Sequence, residues 1–206
     1  MPHLVKKIRE VVFRHLTAIL RNDGVSAHFI LLHLLSKVHT RVDDVDVGKL
    51  ALNLIGLNKE STSVFGTRLS QTFKHLRPFT NFMPLTLEYL NTTSLAPKKD
   101  YQTNRLIPGV LQLPADSHLM VDETQLESRS LNSIEIENTK LLKKSDRVSK
   151  ILQGGNGSGI QLLFFSEGKS NIVSSDVIVP FQPSFASSEI QVTEELEAWI
   201  WYLATI

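Results

Sequence analysis

The sequence predicts an α/β fold in which a mostly parallel sheet is flanked by helices. Helix-period segments alternate with short, predominantly apolar runs such as Leu50–Ile55, Leu119–Val121 and Ile160–Phe165. Runs of that length without alternation suit strands buried on both faces, which parallel sheets require. With 206 residues, 42% hydrophobic and 21% charged, the chain is long enough to bury such a sheet in one domain.

Leu4, Ile8, Val11, Val12, His15, Leu16 and Ile19 recur at helical spacing opposite Lys6, Lys7, Arg9, Glu10 and Arg14, so the first helix turns one face inward. The basic residues share that polar face with Glu10 and read as a solvated surface. Asn22-Asp23-Gly24 ends the helix. From Val25 to Val38, Phe29, Ile30, Leu31, Leu32, Leu34 and Leu35 cover nearly every side, which predicts a helix buried in the core.

Lys49–Ile55 reads as a buried strand, followed by a helix capped by Ser61 or Thr62 with Phe65, Leu69, Phe73 and Leu76 on its inner face. Pro78 stops that helix. Leu85, Leu87 and Tyr89 alternate with Thr86 and Glu88 as in a strand with one polar face, and Pro97–Arg105 reads as a polar connection. Gly109–Leu113 and His118–Val121 flank the turn composition Pro114-Ala-Asp-Ser117 and suggest a hairpin. Ile160–Phe165 is a further strand, ended by Ser166-Glu-Gly-Lys169. Lys143–Gly159 has a linker composition, and Leu196, Trp199, Ile200 and Leu203 form one helical apolar face near the end.

Composition narrows the function. A formal charge of +1 gives no field toward nucleic acid or anionic membrane, and no stretch has the length of a membrane span. Zero cysteines exclude disulfides and cysteine-based zinc sites and fit a reducing compartment. His28, His33 and His39 lack metal-ligand spacing and are expected in core or cap roles. Ser166 and Ser170 have no hydrolase frame, and Gly154–Gly159 resembles a phosphate loop in composition only. No cofactor and no metal are expected.

The chemically suggestive stretch is Gly56-Leu-Asn-Lys-Glu-Ser-Thr-Ser63, which sits in the frame of a nucleotide-binding P-loop after the Leu50–Ile55 run. Ser61 and Thr62 stand where the second glycine and the phosphate-binding lysine belong, while Ser63 keeps the hydroxyl position. Downstream, Leu119-Met-Val runs into Asp122-Glu123, the arrangement in which one carboxylate supports magnesium and the next orients water. The acidic half of an ATPase site is present and the phosphate half is missing. One reading is a non-catalytic module with a degenerate loop. The alternative is a nucleotide-dependent ATPase using Ser63, Asp122 and Glu123.

Several segments together resemble the minichromosome maintenance complex-binding protein family, particularly its plant form. They are Ser26–Arg41, Val47–Ile55, Lys98–Leu106, Pro108–Leu113, Asp122–Thr124 and Phe165–Ser170, within a match running from about Pro2 to about Pro183. The resemblance implies a nuclear, non-enzymatic protein that binds subunits of the minichromosome maintenance helicase, acts in its assembly or unloading during replication, and supports sister-chromatid cohesion. It also implies a degenerate P-loop/AAA+ helicase-like core over residues 1–183, with a departure at 145–159. Residues 184–206 would begin a C-terminal helical lid truncated in this chain, which would cover part of the family's C-terminal half. Lys98, Lys99, Asp100, Tyr101 and Arg105 carry the mixed charge of an interface rim and are the partner-binding candidates. No direct nucleic-acid or membrane contact is expected.

Overall fold

The computed structural model describes residues 2–42, 45–77, 79–114, 116–126, 132–143, 160–170, 172 and 175–184. Helices α1 (Pro2–Ile19) and α2 (Gly24–Leu35) lead into a small antiparallel pair, β1 (Thr40–Val42) and β2 (Val45–Val47). Strand β3 (Leu52–Ile55), helix α3 (Lys59–Leu76), strand β4 (Thr80–Pro84) and helix α4 (Leu87–Thr92) follow. A second antiparallel pair, β5 (Lys98–Asp100) and β6 (Arg105–Ile107), precedes β7 (His118–Asp122), α5 (Ser133–Lys143), β8 (Gln161–Ser166) and β9 (Val177–Pro180).

The main sheet has the order β4-β7-β8-β3-β9, with every pairing parallel. The α/β expectation with a mostly parallel sheet therefore holds. Strands β7 and β8 are buried along their whole length, as the apolar stretches Leu119–Val121 and Leu162–Phe165 at their centres require. Alternate residues feed two cores. Leu52, Leu54, Met120, Leu163, Phe165 and Val179 face a core built with Leu16, Ile30, Leu69 and Phe73 of the first three helices and Leu20 just after α1. Met83, Leu119, Val121, Leu162 and Phe164 face the other side with Leu90 of α4 and Leu142 of α5. The result is a three-layer sandwich whose first and fourth strands lie side by side, so connections leave the sheet in opposite directions between β8 and β3.

Local chemistry explains the helix ends. Arg21 and Asn22 have positive φ, and Asp23 then caps α2 by accepting from the Ser26 amide at 3.0 Å and the Ser26 hydroxyl at 2.6 Å. Helix α3 ends two residues before Pro78, as expected.

Several expectations need correction. Thr86 caps α4 through the Tyr89 amide, so Leu85, Leu87 and Tyr89 belong to a turn and a helix, not a strand. A five-residue alternation also fits one helical turn whose Leu87 and Leu90 are buried. Gly109–Leu113 is a series of turns, and His118–Asp122 pairs in parallel with β4 and β8, so the two do not form a hairpin. The hairpin lies instead at β5–β6, inside the presumed polar connection. Helix α2 is not buried all round: Leu32 is 55% and Leu35 66% exposed. The Lys144–Gly159 part of the linker expectation and the apolar face at 196–203 lie outside the described residues.

Candidate functional site

Two regions hold the residues singled out above: the carboxyl edge of the sheet, and the β5–β6 ribbon. At the first, only Gly56, Leu57 and Asn58 separate β3 from α3. Gly56 has φ +84, a left-handed conformation that disfavours a side chain. Its amide donates to Glu167 O at 3.0 Å, and the Leu57 amide to Ser166 O at 3.3 Å. The cap is Asn58, in place of the expected Ser61 or Thr62. Asn58 Oδ1 accepts from the Ser61 amide at 2.8 Å, and Ser61 Oγ accepts from the Asn58 amide at 2.9 Å, a closed capping box. The Thr62 amide already donates to Asn58 O.

A phosphate cradle needs convergent backbone N–H groups free to face the anion. Here those of Gly56, Leu57, Asn58, Ser61 and Thr62 are engaged within the protein. Thr62 is buried on the inner side of α3, where its methyl lies 3.4 Å from the position of a Cβ added at Gly66. Ser63 is exposed and its hydroxyl donates to Glu60 O at 2.8 Å.

The acidic pair stands at the end of β7. Asp122 is buried, and its carboxylate accepts from the Thr124 amide (3.0 Å), the Thr124 hydroxyl (2.6 Å) and the Gln125 side-chain amide (2.9 Å). That is a self-closed Asx turn. Glu123 accepts from the Ser170 hydroxyl at 2.7 Å. Burial raises the Glu123 pKa, with the Ser170 hydrogen bond opposing and the Asp122 charge adding. The arrangement ties the loops after β7 and β8 together, and the groups that an ATPase would present to magnesium and phosphate point to local partners. Among the described residues no cluster of three or more His, Asp or Glu side chains is placed to hold a metal ion.

At the opposite, amino edge, sequence reasoning missed a buried polar network. His33 Nδ1 lies 2.6 Å from Leu50 O, which fixes the proton there, so His33 Nε2 accepts from His118 Nε2 at 2.6 Å. Gln161 donates to the carbonyls of His33 and Ser36, and Arg77 donates to Leu34 O and Gln161 Oε1. Burial pushes His33 down to about 4 and His118 well below the usual imidazole range. The core role expected for His33 is thus met, but by a partner 85 positions away that no local pattern reveals.

The β5–β6 ribbon is open where the sheet edge is closed. Lys98 pairs with Ile107, Lys99 with Leu106 and Asp100 with Arg105. Asp100 holds the turn by accepting from the Gln102 amide at 2.9 Å and the Thr103 hydroxyl at 2.6 Å, and Asn104 takes the positive φ the return requires. These bonds, Thr103 first, hold the Asp100 pKa below the carboxylate range. Gly109 at the ribbon's base meets Leu95 O and Ala96 C so closely that a Cβ would lie 2.4 Å from each. Tyr101 is 84%, Leu106 67% and Ile107 49% exposed, and Lys99 Nζ lies 5.5 Å from the Tyr101 ring. Leu106 and Ile107 were not among the sequence candidates. Asp100 and Asn104 bracketing three residues after Lys98-Lys99 are the hairpin signal that exposes them.

Comparison with known proteins agrees with the resemblance. The family described as mini-chromosome maintenance replisome factor matches residues 1–206. A mini-chromosome maintenance complex-binding protein of Arabidopsis thaliana is 52% identical over 99% of this chain and 36% of its own length. Proteins of the same name from Drosophila melanogaster and Homo sapiens are 37% and 34% identical over 88% and 85% of the chain, covering 31% and 28% of theirs. The chain thus spans about a third of the length of the curated relatives it matches. With a family match along its whole length and this identity to a plant relative, the chain belongs to the mini-chromosome maintenance replisome factor family.

Proposed function

We propose that this chain is a non-catalytic module that binds subunits of the minichromosome maintenance complex, with the β5–β6 ribbon as a contact element. The observation that carries the ribbon's role is the exposure of Tyr101, Leu106 and Ile107 on a two-stranded projection flanked by Lys98, Lys99 and Arg105. Aromatic and aliphatic side chains ringed by charge are the composition of an interface centre and rim. The relatives' name supplies the partner class.

The carboxyl edge supports reading the core as a degenerate ATPase. It keeps a strand, a tight turn and a capped helix beside two strand-end carboxylates at the point where connections diverge, which is where a nucleotide would sit. The engaged amides of Gly56, Leu57, Asn58, Ser61 and Thr62 and the closed Asp122 turn weigh against ATP chemistry through Ser63, Asp122 and Glu123. Calorimetric titration with magnesium and ATP is expected to give no heat at millimolar nucleotide; heat abolished by Asp122→Ala would reverse the non-catalytic reading.

The family reading extends to a nuclear location and to helicase assembly or unloading in replication, with cohesion as a downstream effect and no direct nucleic-acid contact. Capture of purified helicase subunits by the 206-residue chain tests the central claim. The expected result is saturable binding weakened at least tenfold by Leu106→Glu; no subunit bound by the unmodified chain would sink it. Microscopy of the tagged full-length protein tests the location.

A further inference from the structure

From Gly24 to Leu35 helix α2 carries no lysine, arginine or carboxylate, although one side of it faces water. Val25, His28, Leu32 and Leu35 are all exposed on that side, Val25 at 62%. Steps of three, four and three residues put them in one row along the helix. That is the repeat by which a second helix packs lengthwise on a first. At about 1.5 Å per residue the row runs roughly 15 Å, close to three turns.

Helix α1 turns the row into a groove. Phe13 of α1 and His28, Leu31, Leu32 and Leu35 of α2 line an almost wholly apolar trough of about 220 Å³, with Arg9 and Glu10 at its rim. The Phe13 and His28 rings lie 4.1 Å apart and brace the two walls. Lys6 stands one turn before Arg9 and Glu10 on the side of α1 that carries Phe13, and Lys7 and Arg14 are exposed on the flank beside it. The α1 wall therefore sets four cations against the single acid Glu10, while the α2 wall is uncharged.

Three features of this face select its occupant. The trough is smaller than the roughly 300 Å³ at which small-molecule pockets begin, so it suits a few side chains of a larger partner. Its floor is mainly aliphatic, with Phe13 partly buried, and offers no open aromatic platform on which bases could stack. It is concave, lying between two helices, whereas docking on a lipid surface needs an apolar face that protrudes into the headgroups. A helix laid along α2 meets all three conditions: apolar over Leu32 and Leu35, and acidic where it passes the α1 wall.

We infer that the α1–α2 groove docks an acidic amphipathic helix of a partner protein, with its apolar residues at three- and four-residue intervals along α2 and its carboxylates toward Lys6, Lys7, Arg9 and Arg14. The surface shares no residue with the β5–β6 ribbon. The inference also stands apart from the helicase-binding reading, because its test contains no helicase subunit.

The probe is a labelled peptide of three heptads of Glu-Ile-Ala-Ala-Leu-Glu-Lys, compared with its charge-exchanged form Lys-Ile-Ala-Ala-Leu-Lys-Glu, which keeps the same apolar seam. Fluorescence anisotropy on adding the 206-residue chain is expected to show saturable binding of the acidic peptide, and binding at least tenfold weaker of the exchanged one. Leu32→Glu combined with Leu35→Glu replaces two exposed side chains and is expected to weaken the acidic peptide at least tenfold while circular dichroism is retained. Arg9→Glu, which leaves the floor intact, is expected to narrow the gap between the two peptides, and Leu106→Glu on the ribbon to change neither. No binding, equal affinity for both peptides, or affinity that survives the double variant overturns the inference. Sedimentation with vesicles of three parts phosphatidylcholine to one part phosphatidylserine is expected to leave the chain in the supernatant. Co-sedimentation lost in the same double variant would assign the groove to a membrane and overturn the protein partner.

Discussion

The carboxyl edge of the sheet and the β5–β6 ribbon are opposite solutions to the same question of what a polar surface should do. At Gly56, Leu57, Asn58, Ser61, Thr62 and Asp122, amides and a carboxylate that could face a ligand are closed by partners a few residues away or in the loop after the next strand. On the ribbon, the turn satisfies its own Asp100 while Tyr101, Leu106 and Ile107 are left to water. A polar group already satisfied gains little from a new partner, whereas exposed apolar area gains roughly 25 cal/mol per Å² when covered. Recognition is therefore expected where the chain is apolar and open, and stability where it is polar and closed.

Four experiments can break or sharpen that contrast. The largest effect concerns the closed interior at the amino edge. His33 is held at about 4 in the folded state and stands near 6.5 when unfolded, so the unfolded chain takes up a proton that the native one refuses. Its contribution is complete above pH 6.5 and is lost as the pH falls toward 4, about 3 kcal/mol in all, with His118 acting in the same direction. Glu123, whose pKa is raised, has the opposite sign: its penalty is relieved on acidification. Urea unfolding of the Glu123→Gln chain between pH 7 and pH 4.5 isolates the histidine slope, and stability that stays flat over that range would contradict the network.

Next in size is the open region. Tyr101→Ala with Leu106→Glu is expected to weaken subunit binding on the order of 100-fold, about 2.7 kcal/mol, with the unfolding midpoint unchanged. A drop in midpoint without a change in affinity would invert the contrast. Asp122→Ala is expected to cost 1–2 kcal/mol by orphaning the Thr124 and Gln125 donors, to be read by denaturant titration, and to leave subunit affinity within about twofold. The smallest is Asn58→Ala, which opens the capping box and should lower stability by about 1 kcal/mol, seen as a few degrees in Tm.

What could be read beforehand follows from where the determining partner sits. Strands β3, β7 and β8 and helices α1 and α3 were legible because their own residues carry continuous or helix-period burial. Helix α5 was missed although Asn132-Ser-Ile-Glu135 spells a capping box, closed by the Glu135 amide on Asn132 Oδ1 and the Asn132 amide on Glu135 Oε2. Strand β9 and the β1–β2 pair are short, and their identity comes from the strands they meet. At the candidate site the P-loop frame placed Gly56 correctly after a strand, but counting letters could not show that α3 starts at Lys59. That early start puts Ser61–Ser63 inside the helix, leaving no loop to wrap an anion.

The position of β3 in the sheet also has a consequence for biosynthesis. Leu52 pairs with Leu163 on one side and Val177 on the other, so both edges of an early-made strand wait for residues made much later. At 5–20 residues per second of translation, that interval is on the order of ten seconds. During it, Leu52 and Leu54 emerge from the ribosome beside the first three helices with no neighbouring strand to pair with. The nascent chain must be shielded over that window, and a synonymous change that slows translation between α3 and β8 would lengthen the time it spends open to aggregation.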